Sequence, residues 1–218
     1  MKKTCLILLF NSVLFCYGQD KMFFKSDSMV WFGLDFTKAK FTGHFAIESG
    51  LEINSVKELV NKDMPGWNDI ILKEPLHYDI GHPMKKPIFF SDLSSITKLN
   101  SEITAADSIY YEQKAPYKIY DPDKTIPAMV SNYKSDKYPK GLGCSFIVES
   151  YNQAAHDAYV YFVLFDIETK KVWGFKRIKG FPKGIGLRNY WSGAIKDIIK
   201  QLGSNYGSIE YQTLKAKK

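Results

Sequence analysis

Residues 159–165 (YVYFVLF) constrain the fold most. This stretch is apolar on both faces of an extended chain, a pattern typical of a strand at the centre of a sheet. Strand patterns also occur at 144–151 and 172–178, on either side of it along the chain. The connections at 152–157 and 168–171 are short, so the sequence predicts that the three strands are antiparallel neighbours.

The rest of the chain alternates predicted strands with predicted helices. Alternating apolar residues predict strands at 29–36, 41–47 and 88–90, the last of them short and buried. Apolar residues at helical spacing predict helices at 53–71, 93–103 and 189–202. Pro65 and Gly66 are expected to kink or break the first helix. The last helix is expected to begin at Asn189 as its N-cap and to stop at Gly203.

Two further segments complete the predicted organisation. Residues 114–127 contain prolines and predict a surface crossing. The alternation of Ile209, Tyr211 and Thr213 predicts an edge strand before a lysine-rich tail at 215–218. The sequence therefore predicts a single α+β domain over 19–214. Its mixed sheet is expected to include a C-terminal antiparallel three-strand meander, followed by a packed helix.

The first eighteen residues have the pattern of an export signal. A positive start precedes a mostly apolar stretch at 5–15, and Cys16-Tyr17-Gly18 follows. Residues 4–17 make only about 21 Å of helix, which is too short to span a bilayer. We expect a cleaved signal over 1–18 and an exported chain, periplasmic or secreted, with no transmembrane segment. The alternative is a lipid anchor on Cys16, although Phe15 is bulky where a lipoprotein signal has a small residue.

The net charge of +7 is unevenly distributed along the chain. Residues 19–169 carry 16 basic and 21 acidic side chains, a net charge of −5. Residues 170–218 carry 12 basic and 2 acidic side chains, a net charge of +10. Cys144 alone remains of the three cysteines once the signal is removed, which excludes an internal disulfide in the mature chain. The mature chain is therefore predicted to be an acidic body with a basic end.

Four segments carry a resemblance to a known family. They are WFGLDFT (31–37), GLGCSFIVE (141–149), FDIETKKVW (165–173) and GIGLRNYWSG (184–193). Together they resemble a family of secreted bacterial proteins without a known activity, over most of the mature chain. The pattern D-x-x-T-x-x-x-W, followed by a glycine loop and a helix, is also similar to that of small envelope-assembly lipoproteins. This second resemblance implies only a fold.

The loop at 77–82 (HYDIGH) contains the chain's most metal-like cluster. The two imidazoles of His77 and His82 and the carboxylate of Asp79 are types of side chain that bind zinc. They would suit a metal-dependent hydrolase. The spacing matches no zinc signature, and a polar surface loop explains the same residues, so we favour no metal and expect no cofactor.

A thiol–imidazole pair is the other enzymatic candidate. Cys144 begins one predicted strand and His156 precedes the next, so antiparallel pairing should separate them by about 20 Å. Cys144 is therefore predicted to be a buried structural residue. Ser145 lacks the glycine-flanked turn of an esterase nucleophile. We assign no catalytic residue.

The glycine-rich loop at 180–186 precedes the last predicted helix. Lys183 and Arg188 flank it, and a helix N-terminus attracts anions. The loop matches neither the P-loop nor the dinucleotide-binding pattern. Two interpretations stay open: an anion-binding loop, or a tight crossover that requires glycine's backbone freedom.

The basic end is the most extensive functional signal in the sequence. Nucleic acid is not the expected partner, because the chain is predicted to be exported and its sequence, with 28 lysines but two arginines, is poorly suited to base recognition. We therefore predict a non-enzymatic exported domain that binds an anionic envelope component or a protein partner. The predicted contact residues are Trp173, Phe175, Lys176, Arg177, Lys183 and Arg188. The alternative is a solvated face that the acidic body partly neutralises.

Overall fold

A mixed sheet of seven strands organises the chain. The computed structural model describes residues 24–42, 56–104, 109–111, 117–119 and 121–215. The predicted signal at 1–18 with Cys16, and the tail beyond residue 215, lie outside the described residues. The strands are β1 (Ser28–Asp35), β2 (Lys40–Thr42), β3 (Ile88–Ser91), β4 (Tyr110–Tyr111), β5 (Leu142–Asn152), β6 (Asp157–Asp166) and β7 (Val172–Gly180).

The longest strand, β5, joins the two halves of the sheet. On one edge it pairs antiparallel with β6, which pairs antiparallel with β7, so the predicted three-strand meander is confirmed. On its other edge β5 pairs in parallel with β1 along its first half and with β2 along its second half. Outside these, β3 pairs with β1 and β4 pairs with β2, again in parallel. The predicted mixed sheet of a single α+β domain is therefore confirmed.

Helices cover both faces of the sheet. The first helix, α1, has three parts: Val56–Glu58, a π-helical stretch Leu59–Asp63 and Met64–Lys73. The others are α2 (Ser94–Ser101), α3 (Pro122–Val130), α4 (Leu187–Ile199) and α5 (Leu202–Lys215). One core cluster joins α1, α4 and α5 to one face, and a second joins α2 and α3 to the other. In β6, Phe162 lies in the first cluster and Val163 in the second, which explains the apolar pattern at 159–165.

Two predicted strands differ in the structure. The segment at 88–90, predicted to be buried, is the edge strand β3, and the side chains of Ile88 and Phe90 are exposed. The edge strand predicted at 209–213 is wrong, because these residues belong to helix α5. Ile209 and Thr213 are four residues apart, so they share one helix face. There Ile209 is buried and Thr213 Oγ1 donates to the carbonyl of Trp173 over 2.9 Å.

The proline-containing segments also differ from the prediction. Residues 122–130 form helix α3, which begins within the predicted crossing and extends beyond it, with Pro122 at the start, where a missing N–H costs no hydrogen bond. Helix α1 continues through Pro65, because a π-helical stretch ends just before it and Pro65 falls in the first turn of the α-helical part that follows.

The boundaries of the last predicted helix also move. Gly186, with a φ of 79°, occupies the N-cap position of α4, so the prediction of Asn189 as the cap is wrong. The predicted stop at Gly203 is wrong as well, since α4 ends at Ile199 and Gly203 lies inside α5. Glycine suits the cap because a positive φ strains other residues.

Two buried asparagines hold the carboxyl end of β1. β1 bulges between Trp31 and Leu34, and β3 pairs with it only as far as Trp31. Beyond that point, the Leu34 N–H donates to Asn68 Oδ1 (2.7 Å) and the Leu34 carbonyl accepts from Asn100 Nδ2 (2.9 Å). Asn100 Oδ1 also accepts from the N–H of Phe36 (2.8 Å). The side chains of α1 and α2 thus take the place of a neighbouring strand.

Replacing Asn68 by alanine should lower the free energy of unfolding by about 1–3 kcal/mol, because it leaves the buried N–H of Leu34 without a partner. Urea denaturation measures this change. The control is Asn132→Ala. The side chain of Asn132 is exposed, and its Nδ2 donates a hydrogen bond to the carbonyl of Ala128, four residues earlier in the chain. This substitution should change stability by less than about 1 kcal/mol. Equal losses in the two variants would contradict the assignment.

Candidate functional site

The two aromatic residues predicted to contact a partner, Trp173 and Phe175, pack against other residues of the fold. Trp173 is buried, with the Nζ atom of Lys171 3.9 Å from the centre of its ring. Phe175 is half-buried and packs edge-to-face on Tyr161, with 5.7 Å between ring centres. These aromatic side chains therefore support the packing of β7 rather than an exposed contact surface.

Arg177 forms a buried ion pair with Glu149. The carboxylate is fully buried and accepts a hydrogen bond from Arg177 Nε over 2.6 Å. Its other oxygen accepts from the N–H of Ile119 (2.8 Å). The guanidinium group also stacks 3.7 Å above the ring of Tyr159. Burial, together with the charge of Glu149, raises the pKa of Tyr161 to about 12. Arg177 thus compensates a charge inside the protein.

Several lysines of the basic end also have partners within the chain. These contacts are Lys179 with Asp157 (2.9 Å), Lys200 with Asp197 (3.8 Å), Lys176 with Gln212 (3.2 Å) and Lys196 with His77 (3.4 Å). Among these partners, Asp157 is the acidic residue that belongs to the body; together with the pairs Arg177–Glu149 and Arg188–Glu74 (3.9 Å), it links the basic end to the acidic body. Of the six predicted contact residues, Lys183 and Arg188 are the exposed ones.

Arg177→Gln should lower the free energy of unfolding by about 3–5 kcal/mol, because it leaves Glu149 buried and uncompensated. Chemical denaturation measures the loss. Lys200→Gln is the control, since its exposed pair with Asp197 contributes at most about 1 kcal/mol. The double variant Glu149→Gln/Arg177→Met should recover much of the stability. A loss from Arg177→Gln no larger than that from Lys200→Gln would contradict the structural role.

The loop between β7 and α4 is the most exposed apolar feature near the basic end. We call residues 181–186 the tip loop. Ile185 is 93% exposed and Phe181 is 57% exposed. Lys183 lies between them in sequence and Arg188 follows in the first turn of α4, and both are exposed. The tip loop therefore combines large apolar side chains with positive charge.

The backbone of the tip loop is firmly held although its side chains are exposed. The N–H of Phe181 donates to Asp197 Oδ2 (3.2 Å), and the N–H of Lys183 donates to the carbonyl of Tyr190 (3.1 Å). Gly193 allows α4 to approach so closely that a Cβ atom there would lie 2.1 Å from the carbonyl oxygen of Lys183. Gly184, with a φ of 146°, adopts a conformation that favours glycine. The loop is thus preorganised.

The loop at 77–82 does not assemble a metal centre. Asp79 Oδ1 accepts the N–H of His82 (2.9 Å), the first residue of a 3₁₀ turn at His82–Met84. Nδ1 of His77 lies 3.4 Å from Nζ of Lys196, a cation that a metal site would not favour. Within the described ranges, no three histidine, cysteine or acidic side chains are grouped closely enough to hold a metal ion.

The strand register confirms that Cys144 and His156 form no dyad. Cys144 is buried opposite Leu164 in the β5–β6 pair, whereas His156 lies in the turn just before β6. Burial raises the pKa of the Cys144 thiol well above its usual value. Nδ1 of His156 is instead 2.6 Å from the hydroxyl of Tyr190. Cys144 is a buried structural residue, as predicted.

A cleft at the carboxyl end of β1 has no counterpart among the sequence-predicted sites. It has a volume of about 620 Å³ and lies between the β1–β2 connection and helices α2 and α3. Its lining is formed by Asp35, Thr37, Lys38, Leu99, Lys124, Thr125, Ala128, Met129 and Asn132. The available sequence signal was Asp35, a carboxylate at the end of an otherwise apolar strand.

Asp35 is buried at the inner side of this cleft. Its Oδ1 accepts from both the N–H (2.8 Å) and the hydroxyl (2.6 Å) of Thr37, and its Oδ2 accepts from the hydroxyl of Tyr133 (2.6 Å). Burial raises the pKa of Asp35, while the hydrogen bonds from Thr37 and Tyr133 act in the opposite direction. The side chain is thus a buried carboxyl group stabilised by hydrogen bonds.

Asp35 makes stability depend on pH. Its folded pKa lies above the ordinary value of 3.8, so the unfolded chain releases the proton first as the pH rises. The contribution to stability is therefore complete below pH 3.8 and is lost as the pH rises through the folded pKa. Relative to Asp35→Asn, the wild-type free energy of unfolding should fall across this window, as measured by urea unfolding from about pH 4 to 7.

A second variant tests the cause of that pH dependence. Tyr133→Phe removes a hydrogen bond that lowers the Asp35 pKa, so the window should move to higher pH. A constant difference in stability between the wild type and Asp35→Asn over the whole pH series would contradict the raised pKa.

Comparison with known proteins adds no relative. A scan against models of protein families finds no match, and a search of curated proteins finds none either. In the part of the chain that the structure describes, no helix has both the length and the apolar character needed to cross a membrane.

Proposed function

We propose that this chain is an exported, non-enzymatic interaction domain, periplasmic or secreted, that docks on an anionic surface of the cell envelope through its tip loop. The observation that carries the proposal is the exposure of Ile185 and Phe181 beside the cations Lys183 and Arg188. Export is supported by the signal pattern at 1–18. The anionic partner is supported by the net charge of +10 over residues 170–218.

The composition of the tip loop suits an anionic lipid surface. Apolar side chains enter the boundary between headgroups and acyl chains, and each large one contributes roughly 1.5–3 kcal/mol when fully buried. Each cation near an anionic leaflet adds about 1 kcal/mol. Lys183 and Arg188 flank Ile185, so both contributions act at one place.

The fixed backbone of the tip loop strengthens the proposal. The hydrogen bonds of Phe181 to Asp197 and of Lys183 to Tyr190 hold the loop in its conformation before any partner binds. Binding then loses less conformational entropy than the ordering of a flexible segment would. The two exposed apolar side chains are therefore presented ready for contact.

The proposal revises the contact residues that the sequence indicated. Lys183 and Arg188 remain, and Phe181 and Ile185 join them because they are exposed. Lys176 contributes at the margin, since its side chain is half-buried beside Gln212. The metal-dependent hydrolase at His77 has no supporting geometry and is not proposed.

Vesicle flotation tests the proposal. The mature wild-type chain should bind vesicles of phosphatidylcholine with a quarter phosphatidylglycerol at low salt, and should bind pure phosphatidylcholine vesicles far less. Phe181→Ser/Ile185→Ser should weaken binding to the anionic vesicles by about tenfold or more. Lys183→Glu/Arg188→Glu should abolish it, and raising the salt concentration should weaken wild-type binding.

Matched control variants distinguish binding through the tip loop from nonspecific adsorption to vesicles. Leu76→Ser removes an apolar side chain that is 95% exposed in another loop and should leave binding unchanged. Lys98→Glu/Lys134→Glu changes the net charge equally at two exposed lysines elsewhere and should have little effect. The lipid partner would be refuted if the wild type did not bind anionic vesicles. It would also be refuted if a control variant weakened binding as much as the tip-loop variants do. Binding to an acidic protein instead would also refute it.

A further inference from the structure

The cleft at the end of β1 has the size and position of a small-molecule site. Its volume of about 620 Å³ lies within the range of roughly 300–1,000 Å³ that is common for such sites. It opens at the carboxyl end of β1, which pairs in parallel with β5, and ligands of sheets with parallel strands commonly bind at that end. The tip loop contributes no residue to it.

Two lysines supply the accessible charge of the cleft. Both oxygens of Asp35 already accept hydrogen bonds, and the side chain is 1% exposed, so its charge is turned away from the opening. Lys38 and Lys124 are exposed. Lys124 pairs with Asp121 over 2.8 Å, but both side chains are solvent-accessible and such a pair is weak. A bound anion can therefore recruit Lys124 at little cost.

The remaining wall of the cleft has an apolar part. Leu99 from α2 and Ala128 and Met129 from α3 form it, beside the polar side chains of Thr125 and Asn132. Thr37 offers hydroxyl lone pairs to a ligand, because its proton is committed to Asp35. The cleft therefore combines a cationic opening, an apolar wall and a hydrogen-bond acceptor at its inner end.

We propose that this cleft binds a small amphipathic organic anion, with its carboxylate or phosphate head between Lys38 and Lys124 and its apolar body against Leu99, Ala128 and Met129. The cleft residues, not the tip loop, define this site, so it stands independently of the proposed docking function. A ligand with a single negative group and an apolar chain matches both parts of the lining.

Displacement of a fluorescent anion tests the site. Anilinonaphthalene sulfonate is bound to the mature protein and titrated with decanoate, decyl phosphate or decanol. Decanoate and decyl phosphate should displace it at least tenfold more effectively than the neutral decanol. Lys38→Gln/Lys124→Gln should weaken decanoate binding at least tenfold and remove most of its salt dependence. Ala128→Trp should abolish displaceable binding by filling the cleft at an exposed position.

Controls make the outcome decisive. Ala155→Trp introduces the same side chain at an exposed alanine in the β5–β6 turn, and Lys57→Gln/Lys85→Gln removes the same charge at two exposed lysines outside α2, α3 and the β1–β2 connection. Both should bind decanoate like the wild type, as should the tip-loop variant Phe181→Ser/Ile185→Ser. Circular dichroism and thermal unfolding confirm that each variant is folded. Unchanged decanoate affinity in a folded Ala128→Trp variant, equal affinity for decanol, or no displaceable binding would overturn the proposal.

Discussion

The carboxyl end of β1 depends on hydrogen bonds from Asn68 and Asn100. Without them, the bulged strand would leave the backbone of Leu34 and Phe36 unpaired in the interior, where each missing bond costs about 1–3 kcal/mol. Because two side chains replace a strand, no strand has to extend beyond Ser91 of β3 at this edge. The chain turns after Asp35, and the cleft opens at this end of β1, beside the β1–β2 connection and helices α2 and α3. Asn100, which holds the strand end, belongs to the same helix α2 as the cleft-lining Leu99.

Charge is used inside the protein as well as on its surface. The buried pair of Arg177 and Glu149 joins the basic end of the chain to its acidic body, and Ile119 is bonded to the same carboxylate. Lys179 and Asp157 repeat this arrangement nearer the surface. A sum of charges along the sequence therefore overstates the positive charge that an anionic partner would meet. Exposure, rather than composition, selects Lys183 and Arg188 as the cations near the tip loop; Arg188 also pairs with Glu74 over 3.9 Å, an exposed pair that is weak.

The sequence predicts the parts of the fold that depend on local patterns, but not those that depend on pairing between distant segments. The β5–β6–β7 meander was predictable because short turns join its strands. The parallel pairing of β1 with β5 was not, since Val30 and Gly143 are far apart in sequence and no local pattern specifies their register. Residues 209–213 satisfied a strand pattern, yet Ile209 and Thr213 also share one face of a helix. The tip loop was identified by its glycines, but the exposure of Ile185 and the position of Asp35 beside a cleft emerge only from tertiary packing.

The sheet topology relates the two candidate sites to each other. β1 is parallel to β5, and β7 is also parallel to β5 because two antiparallel steps separate them. The carboxyl ends of β1 and β7 therefore lie at the same end of the sheet. Across the strands they are three positions, or about 14 Å, apart. Along β5, the end of β1 pairs with Ile147, whereas the end of β7 aligns with Tyr151, farther along the strand. A protein that rests on a surface through the tip loop would turn this end of its sheet toward that surface. The cleft, however, lies beside α2 and α3 on one face of the sheet, whereas the tip loop leads into α4 on the other face, so the two candidate sites share an end of the sheet but not a face.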